Sequence, residues 1–366
     1  MAQQDAKYQK VVDWLRENIK NGTFQQGEKL MSEMELSEKF SLSRQTIRHA
    51  TGTLVEEKLL TRVQGSGTYI GYAPVRSRRE HYGNVAVIST FYESYIFPPT
   101  LKGIEHVLGE NGYAMQVSFT DNHIAREAEI LKNLLEKDNV DGLIIEPAKS
   151  ALPNPNLQYY EEIRKKNIPM ICFNASYPKL QVPCVRIDDT RIASKATKLL
   201  LENGHRHIAA IFKSDDGQGE LRYAGYLQAI REAGLSTSQD RVVWIDTPMM
   251  LNMEELSDHI FRRIGGCSGL VCYNDEVAYR LIELALKRGM KVPEDLSVVG
   301  IDDSYLAGVS RVPLTSFAHP KAELGKKVAE NMIRMIEQPA FDGNYLFDSE
   351  PVLRESIADL RERSLT

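Results

Sequence analysis

The residue types near position 45 favour direct contact with DNA bases. Arg44 and Arg48 are one helical turn apart, so on an α-helix their side chains lie on one face together with Gln45. Arginine can donate two hydrogen bonds to a guanine edge in the major groove, and glutamine can recognise adenine there. The opposite face of the same helix is apolar, with Ile47, Ala50 and Leu54. This pattern predicts a helix that packs on a scaffold and presents cations to a double helix.

Two more helices and a hairpin are needed to position this recognition helix. Hydrophobic spacing predicts the first helix over about 7–21, and a capping box that begins at Ser32 starts the second. Ser43 caps the recognition helix, whose free N–H groups also suit a phosphate. Residues 59–63 and 68–70 predict a hairpin with a glycine-rich tip. An arginine pair alone would more simply be a solvated face, but the whole arrangement indicates a winged helix-turn-helix.

The segment resembles the DNA-binding domain of gntR-family regulators. The matching residues are Glu33, Leu36-Ser37-Glu38-Lys39-Phe40, Ser43-Arg44-Gln45-Thr46-Ile47-Arg48 and Gly65-Ser66-Gly67-Thr68. It departs from that family at Met31, where proline is usual, and at Met34, where arginine is usual, which predicts the loss of one phosphate contact. The resemblance implies that one set of residues touches double-stranded operator DNA: Lys7, Tyr8, Glu33, Ser43, Arg44, Gln45, Thr46, Arg48, Gln64 and Gly65.

The charge of the chain is unevenly distributed. Residues 1–79 carry 13 Lys and Arg against 9 Asp and Glu, whereas the whole chain of 366 residues has a formal charge of −5. A basic end on an acidic body suits a protein that meets phosphate at one end only. The sequence shows no secretion signal and no apolar run near the roughly 20 residues of a membrane span, which predicts a cytoplasmic protein without a membrane partner. Its four cysteines form no CxxC pair, which favours buried reduced thiols.

A change of pattern after residue 82 predicts a second, larger domain. The sequence is interpreted as a DNA-binding domain over 1–72, a flexible linker over 73–82 and an effector domain over 83–366. Nine apolar strand candidates alternate with helical runs: 84–90, 115–119, 142–146, 170–174, 207–212, 242–246, 269–274, 298–302 and 314–319. Such strands form parallel sheets covered by helices on both faces. Nine strands with their helices are more than a single hydrophobic core holds, which predicts two lobes. The expected fold class is α/β, with a small winged helix-turn-helix and a two-lobed, doubly wound domain.

Ligands of such sheets bind beyond the carboxyl ends of the strands, where this sequence carries mostly acceptors and aromatic rings. The residues that follow the strands are Tyr92, Tyr95, Phe97, Glu146, Asn174, Lys213, Asp215, Asp216, Asn274, Asp275, Asp302, Asp303 and His319. The sequence has no phosphate-binding glycine loop, and an acceptor-rich cleft repels anions. A neutral sugar fits best, because its hydroxyls donate to carboxylates while its C–H face packs on an aromatic ring.

Simpler structural roles are open for several of these residues. The aromatic rings could be ordinary packing, and Asp303 could cap the following turn, which leaves Asp302 as the better ligand candidate. Glu146 ends a predicted strand, where an unpaired carboxylate would be costly, and this favours a functional role. His205 and His207 could suggest zinc, but no third ligand has suitable spacing, so no metal or other cofactor is expected.

The large domain resembles the effector domain of LacI/GalR-type regulators, which is related to periplasmic sugar-binding proteins. The matching residues are Gly204-His205, Ile208-Ala209, Arg222, Gly225-Tyr226, Cys272-Tyr273-Asn274-Asp275, Val298-Val299-Gly300-Ile301-Asp302-Asp303, Leu314-Thr315-Ser316 and Leu353-Arg354-Glu355-Ser356. The resemblance implies a set of ligand contacts: Asn174, Arg222, Asn274 or Asp275, and Asp302. Four more are added from their places after strands: Tyr95, Phe97, Glu146 and His319. A gntR-type head on such a body is similar to the arabinose-responsive repressors of Gram-positive bacteria, which implies L-arabinose or a similar neutral sugar as effector.

These resemblances imply a homodimeric transcriptional repressor rather than an enzyme. A neutral sugar between the lobes would favour their closed arrangement and oppose operator binding, and by linkage the operator would oppose the sugar. Three alternatives stay open at this point. They are a sugar-responsive regulator of opposite sign, a sugar-modifying enzyme, which the missing phosphate-binding loop disfavours, and a transport-binding protein, which the missing signal peptide disfavours.

Overall fold

The structure is a computed structural model that describes residues 2–25, 27–57, 59–63, 67–71, 81–93, 95–236 and 239–361. Its chain forms two compact units, Met1–Glu80 and His81–Thr366. Most of the predicted linker over 73–82, and the predicted hairpin tip at Gln64 and Gly65, lie outside the described residues. In the described part, no helix is both long and apolar enough to cross a lipid bilayer.

The first unit is a three-helix scaffold with a hairpin. Its elements are α1 (Ala2–Lys20), α2 (Glu33–Phe40), α3 (Arg44–Glu56) and the antiparallel strands β1 (Leu60–Val63) and β2 (Gly67–Ile70). The predicted capping box is confirmed, because Ser32 Oγ accepts from Glu35 N at 3.2 Å and Glu35 Oε2 accepts from Ser32 N at 2.7 Å. Ser43 caps α3 by accepting from Thr46 N. The buried core includes Val11, Val12, Leu15, Leu36, Ile47, Ala50, Leu54, Leu60 and Ile70.

The second unit alternates strands with helices along most of its length, as predicted. Its strands are β3 (Asn84–Ser89), β4 (Ala114–Phe119), β5 (Gly142–Ile145), β6 (Met170–Phe173), β7 (Cys184–Ile187), β8 (Ile208–Lys213), β9 (Val242–Ile245), β10 (Gly269–Cys272), β11 (Ser297–Asp302), β12 (Thr315–Ala318), β13 (Tyr345–Phe347) and β14 (Pro351–Val352). Its helices are α4 (Phe97–Glu110), α5 (Ile124–Lys137), α6 (Leu157–Lys165), α7 (Asp189–Glu202), α8 (Gly217–Glu232), α9 (Thr247–Leu251), α10 (Ser257–Ile264), α11 (Asp275–Lys287), α12 (Tyr305–Val309) and α13 (Lys321–Glu337).

The strands form two six-stranded sheets, and each sheet is the centre of one lobe. In the N-terminal lobe the strand order is β13-β7-β6-β5-β3-β4, and neighbouring strands are parallel. Helices α4 and α13 cover one face of this sheet, and α5 and α6 cover the other. In the C-terminal lobe the order is β14-β12-β11-β10-β8-β9, and β14 is antiparallel to β12. Helices α7 and α8 cover one face of that sheet, and α10 and α11 the other.

The chain passes between the lobes three times, after β7, after β12 and after β13. Each lobe is therefore assembled from separate stretches of sequence. The expected α/β fold class is confirmed, and all nine predicted strands are present. Three further strands were not predicted. Arg186 interrupts the apolar run of β7, while β13 has three residues and β14 has two, which is too short for a readable period.

Candidate functional site

The face of α3 that was predicted to read bases is exposed. Arg44, Gln45 and Arg48 lie on the solvent side, whereas Ile47 and Leu54 are buried. Because the buried side packs on α1 and α2, the exposed side is held in a fixed orientation. An exposed helix face of this kind can enter a major groove.

Glu33 holds the guanidinium of Arg48. Arg48 Nε donates to Glu33 Oε1 at 3.0 Å and Arg48 Nη2 donates to Oε2 at 2.7 Å, which ties α3 to the start of α2. The hydrogen bond from Arg48 lowers the pKa of Glu33. Arg62 Nη2 approaches the same carboxylate at 3.9 Å. Glu33 thus lies beside the predicted DNA contacts, with its oxygens already engaged by arginine.

Three further predicted DNA contacts lie on or beside α3. Tyr8 packs against His49 with ring centroids 4.6 Å apart, and its hydroxyl oxygen lies 2.5 Å from Thr53 Oγ1. Ser43 and Thr46 meet at the start of the helix, where their hydroxyl oxygens are 2.9 Å apart. The remaining predicted contacts lie outside what the structure describes: the side chain of Lys7, and Gln64 and Gly65.

A cleft lies between the lobes of the second unit, beyond the carboxyl ends of strands from both sheets. Together with its opening to solvent it encloses about 760 Å³ of space that no protein atom fills. Its lining is polar and aromatic: Thr90, Phe91, Tyr95, Ile96, Phe97, Asn122, Glu146, Pro147, Ser150, Asn174, Ala175, Ile187, Lys213, Asp216, Gln218, Arg222, Met250, Tyr273, Asn274, Glu276, Asp302 and His319. The lining includes eight of the nine predicted ligand contacts: Tyr95, Phe97, Glu146, Asn174, Arg222, Asn274, Asp302 and His319.

The ninth predicted contact, Asp275, lies behind the lining. Its buried carboxylate accepts from Ser304 N at 2.6 Å and from the hydroxyl of Ser316. Burial, together with the nearby charge of Asp302, raises the pKa of Asp275 to about 7. Only its backbone N–H reaches the lining, where it donates to the hydroxyl of Tyr95 at 3.1 Å. The sequence left Asn274 and Asp275 as alternatives, and in the structure Asn274 lines the cleft.

A buried chain of hydrogen bonds joins Glu146, Asn174 and His319. Glu146 accepts from Asn174 Nδ2 at 2.7 Å and from Thr90 N at 2.8 Å, so it is not the unpaired carboxylate that the sequence suggested. Burial still raises the pKa of Glu146. Because Asn174 donates through Nδ2, its Oδ1 accepts from His319 Nε2 at 3.2 Å. Burial lowers the pKa of His319 to about 3, so the ring is neutral and Nδ1 is an acceptor.

Arg222 is a buried cation at the base of the same site. Its Nε donates to Asp189 Oδ1 at 2.8 Å, and its Nη2 lies 3.8 Å from Asp302 Oδ1. Gly225 allows α8 to approach α7, since a Cβ there would collide with the backbone oxygen of Thr190. Burial raises the pKa of Asp189 to about 6 despite its pairing with Arg222. Burial also raises the pKa of Asp302, whose Oδ1 has no hydrogen-bond partner among the described residues.

Acidic partners neutralise the buried cations of the cleft. Lys213 donates to Asp216 Oδ2 at 2.5 Å and lies 3.6 Å from Asp215 Oδ1. Burial opposes ionisation of Asp215, but Lys213 and several hydrogen bonds outweigh it, so the pKa of Asp215 is lowered. Since Arg222 is likewise paired with Asp189, the described lining offers no buried cation to an anionic ligand. The arrangement favours a neutral ligand that donates hydrogen bonds.

Direct hydrogen bonds also join the two lobes across the cleft. They include Tyr95 with Asp302 (2.5 Å), Lys149 with Asp215 (3.1 Å), Ser150 with the N–H of Gly217 (2.8 Å) and Asn122 with Thr247 (2.8 Å). Sequence reasoning missed Asn122, Lys149 and Ser150. Each follows a strand by three to five residues, so the position after a strand was a signal that could have found them.

His205 and the four cysteines have structural surroundings. The described residues contain no group of three His, Cys, Asp or Glu side chains that could hold a metal ion. The ring of His205 contacts Ser268 Oγ at 2.9 Å and the backbone oxygen of Ala358 at 3.2 Å. The four cysteines are free and buried.

Comparison with known proteins agrees with this two-part organisation. The model of the gntR family of bacterial regulatory proteins matches residues 7–70, and that of the periplasmic binding protein-like domain matches residues 197–357. The chain is 36% identical over 370 residues to an arabinose metabolism transcriptional repressor of Halalkalibacterium halodurans, covering 98% of each chain. It is 35% identical over 360 residues to a protein of the same name from Geobacillus stearothermophilus, covering 96% of each.

Solved structures share the fold of the second unit. Transcription regulator CcpA of Lactococcus lactis superposes with a TM-score of 0.68 at 24% identity, covering 75% of this chain and 98% of that chain. A complex of the transcriptional regulator CelR with cellobiose gives a TM-score of 0.67 at 23% identity, covering 86% and 90%. At this level of identity the likeness concerns the fold alone. Because the two repressors match the chain over nearly its whole length, the chain belongs to the family of arabinose metabolism transcriptional repressors, and it is a DNA-binding regulator of transcription rather than an enzyme.

Proposed function

We propose that a neutral sugar, L-arabinose or a close relative of it, binds in the cleft and releases the protein from its operator. The observation that carries the proposal is the set of unused acceptors at the cleft. Asp302 Oδ1 and His319 Nδ1 have no hydrogen-bond partner within the described part of the chain, and both residues line the site. Sugar hydroxyls donate to such acceptors, whereas a phosphate or carboxylate would be repelled by the surrounding acidic groups.

The choice of L-arabinose is supported by the names of the two relatives, which are repressors of arabinose metabolism. The proposed contacts combine hydrogen-bonding groups with aromatic surface: Tyr95, Phe97, Glu146, Asn174, Arg222, Asn274, Asp302 and His319. Asp275 would act from behind, through its N–H to Tyr95. No cofactor takes part in this mechanism.

The head is proposed to read operator DNA through the exposed face of α3. Arg44, Gln45 and Arg48 would contact base edges, and Glu33 would fix the orientation of the Arg48 guanidinium. The remaining predicted residues would contact the backbone or the groove edge: Lys7, Tyr8, Ser43, Thr46, Gln64 and Gly65. Phosphate contacts of this kind position a protein on the duplex without specifying the sequence.

A homodimer is supported by exposed apolar side chains on the edge strands of both sheets. Trp244 on β9 and Val117 on β4 are 40% and 36% exposed. Burying such edges against a second copy removes apolar surface from water and covers unpaired backbone groups. Two heads would then bind the two half-sites of a near-palindromic operator. Because operator DNA lies in the bacterial cytoplasm, we place the protein there.

The sugar would act by favouring direct contact between the lobes. If this arrangement presents the two heads at a spacing that does not match the half-sites, sugar and operator oppose each other. The opposition is then reciprocal, because linkage requires each ligand to lower the affinity of the other by the same factor.

Titration calorimetry of the full-length protein with neutral pentoses, hexoses and sugar phosphates tests the ligand class. We expect binding of L-arabinose that is absent in Asp302→Ala and retained in Asp258→Ala, which removes a carboxylate that is 90% exposed. Equal binding of sugar phosphates would contradict the charge argument. Gel retardation of an operator duplex, selected by the protein from a random library, tests the coupling. An operator affinity that ignores every neutral sugar would refute it.

A further inference from the structure

Glu127 is a buried acid that lies outside the cleft lining. It occupies the first turn of α5 and is fully buried, on the same helical stripe as Leu131 and Leu134. Among the described residues, no Lys, Arg or His lies within ion-pairing distance of it. Burying a carboxylate without a cation is costly unless hydrogen bonds satisfy it. The groups that donate those hydrogen bonds are therefore held in place by Glu127.

The donors to Glu127 come from the loop after β5 and from Tyr177. Oε2 accepts from Asn154 Nδ2 at 2.7 Å and from Asn156 Nδ2 at 2.8 Å. Oε1 lies 2.6 Å from the hydroxyl of Tyr177 and accepts from Ala148 N at 3.4 Å. The hydroxyl of Tyr177 also lies 2.6 Å from the backbone oxygen of Ala148. One carboxylate thus fixes both ends of the segment 148–156.

The same segment carries two of the contacts between the lobes. Lys149 Nζ donates to Asp215 Oδ2 at 3.1 Å, and Ser150 Oγ accepts from Gly217 N at 2.8 Å. Lys149 has a φ of 46°, a left-handed conformation that a residue with a side chain adopts only when its surroundings impose it. Its N–H donates to Asn122 Oδ1 at 2.6 Å. Glu127 accepts hydrogen bonds from Ala148 on one side of these residues and from Asn154 and Asn156 on the other, and so restrains the backbone between them.

We propose that Glu127 is a positioning residue for lobe closure. It holds the segment 148–156 in the one shape that lets Lys149 and Ser150 reach the C-terminal lobe. If the segment moved away, the carboxylate would stay buried without its donors, so the alternative shapes of the loop are disfavoured. The inference rests on the proposed function, in which the sugar binds when the lobes are in contact.

The test uses the full-length protein and the change Glu127→Gln, which keeps the size of the side chain but turns an N–H₂ group towards the donors. Glu129→Gln, at an exposed position of the same helix, is the matched control. We expect Glu127→Gln and Lys149→Met each to weaken L-arabinose binding about tenfold in calorimetry. The double variant should be no weaker than about tenfold, because both changes remove the same contact. Losses that multiply to about a hundredfold would overturn the positioning role, as would wild-type affinity in Glu127→Gln.

A second readout does not depend on the sugar. All four native cysteines are buried, so cysteines introduced at the exposed positions Lys132 and Glu255 can carry spin labels on the two lobes. Pulsed electron resonance without sugar should give a longer or broader distance in Glu127→Gln and in Lys149→Met than in Glu129→Gln. Unchanged distances would overturn the inference. A changed distance in a protein that binds no neutral sugar would support it while refuting the proposed function.

A milder variant covers the case in which Glu127→Gln does not fold. Asn154→Ala removes one of the donors to Glu127, and also the acceptor of the N–H of Asn156, from a half-buried position. It should shift the label distance in the same direction by a smaller amount. The unfolding midpoint could instead fall while the label distance and the sugar affinity stay at their wild-type values. That result would show that Glu127 has a structural role alone and would refute the proposal.

Discussion

The hydroxyl of Tyr95 lies 2.5 Å from Asp302 Oδ2, although 207 residues separate them and they belong to different lobes. Tyr95 precedes α4 with a φ of 70°, and Asp302 ends β11 with a φ of 110°. Both are therefore in backbone conformations that side chains rarely adopt and that the surrounding packing must maintain. This hydrogen bond makes one proposed sugar contact depend directly on the arrangement of the lobes.

Removing the hydroxyl of Tyr95 tests this dependence. Tyr95→Phe loses a hydrogen bond to a charged acceptor, a contact worth about 1.5–3 kcal/mol. If the sugar binds the closed lobes, its affinity should fall by about tenfold or more in calorimetry. Tyr92→Phe is the control, since that ring is half exposed in the same loop. A rise in affinity would mean that the phenol competes with the sugar for Asp302.

Charge removal on α3 tests the proposed reading of operator bases. Arg44→Ala and Arg48→Ala should each weaken operator binding by about 1–3 kcal/mol in gel retardation, because each removes a base contact. Arg16→Ala removes the same charge but lies by Glu57, at the other end of α3, where its Nη2 donates at 2.8 Å. It should have a smaller effect, confined to the salt dependence. An equal loss in all three variants would indicate a general electrostatic effect instead of base recognition.

The close approach of α8 to α7 at Gly225 should be required for sugar binding in the cleft. Gly225→Ala puts a methyl group against the backbone oxygen of Thr190, and such overpacking usually costs about 1–3 kcal/mol. We expect a lower unfolding midpoint and weaker sugar binding, because α8 carries Arg222 towards Asp189. Gly109→Ala, inside α4, meets nothing nearer than 3.8 Å and should stabilise slightly. A wild-type sugar affinity in Gly225→Ala, despite a much lower unfolding midpoint, would show that the geometry of the site does not depend on this helix contact and would contradict the prediction.

The raised pKa of Asp275 gives a pH dependence of stability with a defined sign. Because the folded pKa is about 7 and the ordinary value is 3.8, its contribution to the free energy of unfolding is fully present below pH 3.8. It is lost as the pH rises through about 7, on the order of 1 kcal/mol per pH unit. Urea unfolding at pH 6, 7 and 8 should therefore show a decline that is smaller in Asp275→Asn. The exposed-site variant Asp240→Asn should keep the wild-type slope, and identical slopes in all three proteins would disprove the assignment.

Much of the first unit and part of the cleft could be predicted from the sequence because the signals are local. Ser32 and Ser43 cap helices through partners three residues away, within the range that a sequence motif records. Asn174 and Asp302 follow apolar strands, and the topology of a parallel sheet brings strand ends together whatever their separation in the chain.

Contacts between distant residues could not be predicted in the same way. Nothing near Glu33 in the sequence indicates that Arg48 would occupy its carboxylate. Likewise, nothing near Asp275 indicates that its carboxylate would bond to Ser304 and Ser316 behind the cleft. One overlooked signal was available at Glu127. A charged residue at the spacing of Leu131 and Leu134 stands on the apolar stripe of its helix, where an acid requires partners.

The return of the chain to the N-terminal lobe constrains how the protein can be made. Leu324, Val328 and Met332 of α13 belong to the core of that lobe, and β13 is the edge of its sheet. A ribosome releases these residues only after nearly all of the other lobe has emerged. Until then α4 alone covers that apolar face of the sheet, so a nascent chain halted before α13 would expose apolar surface that chaperones can bind.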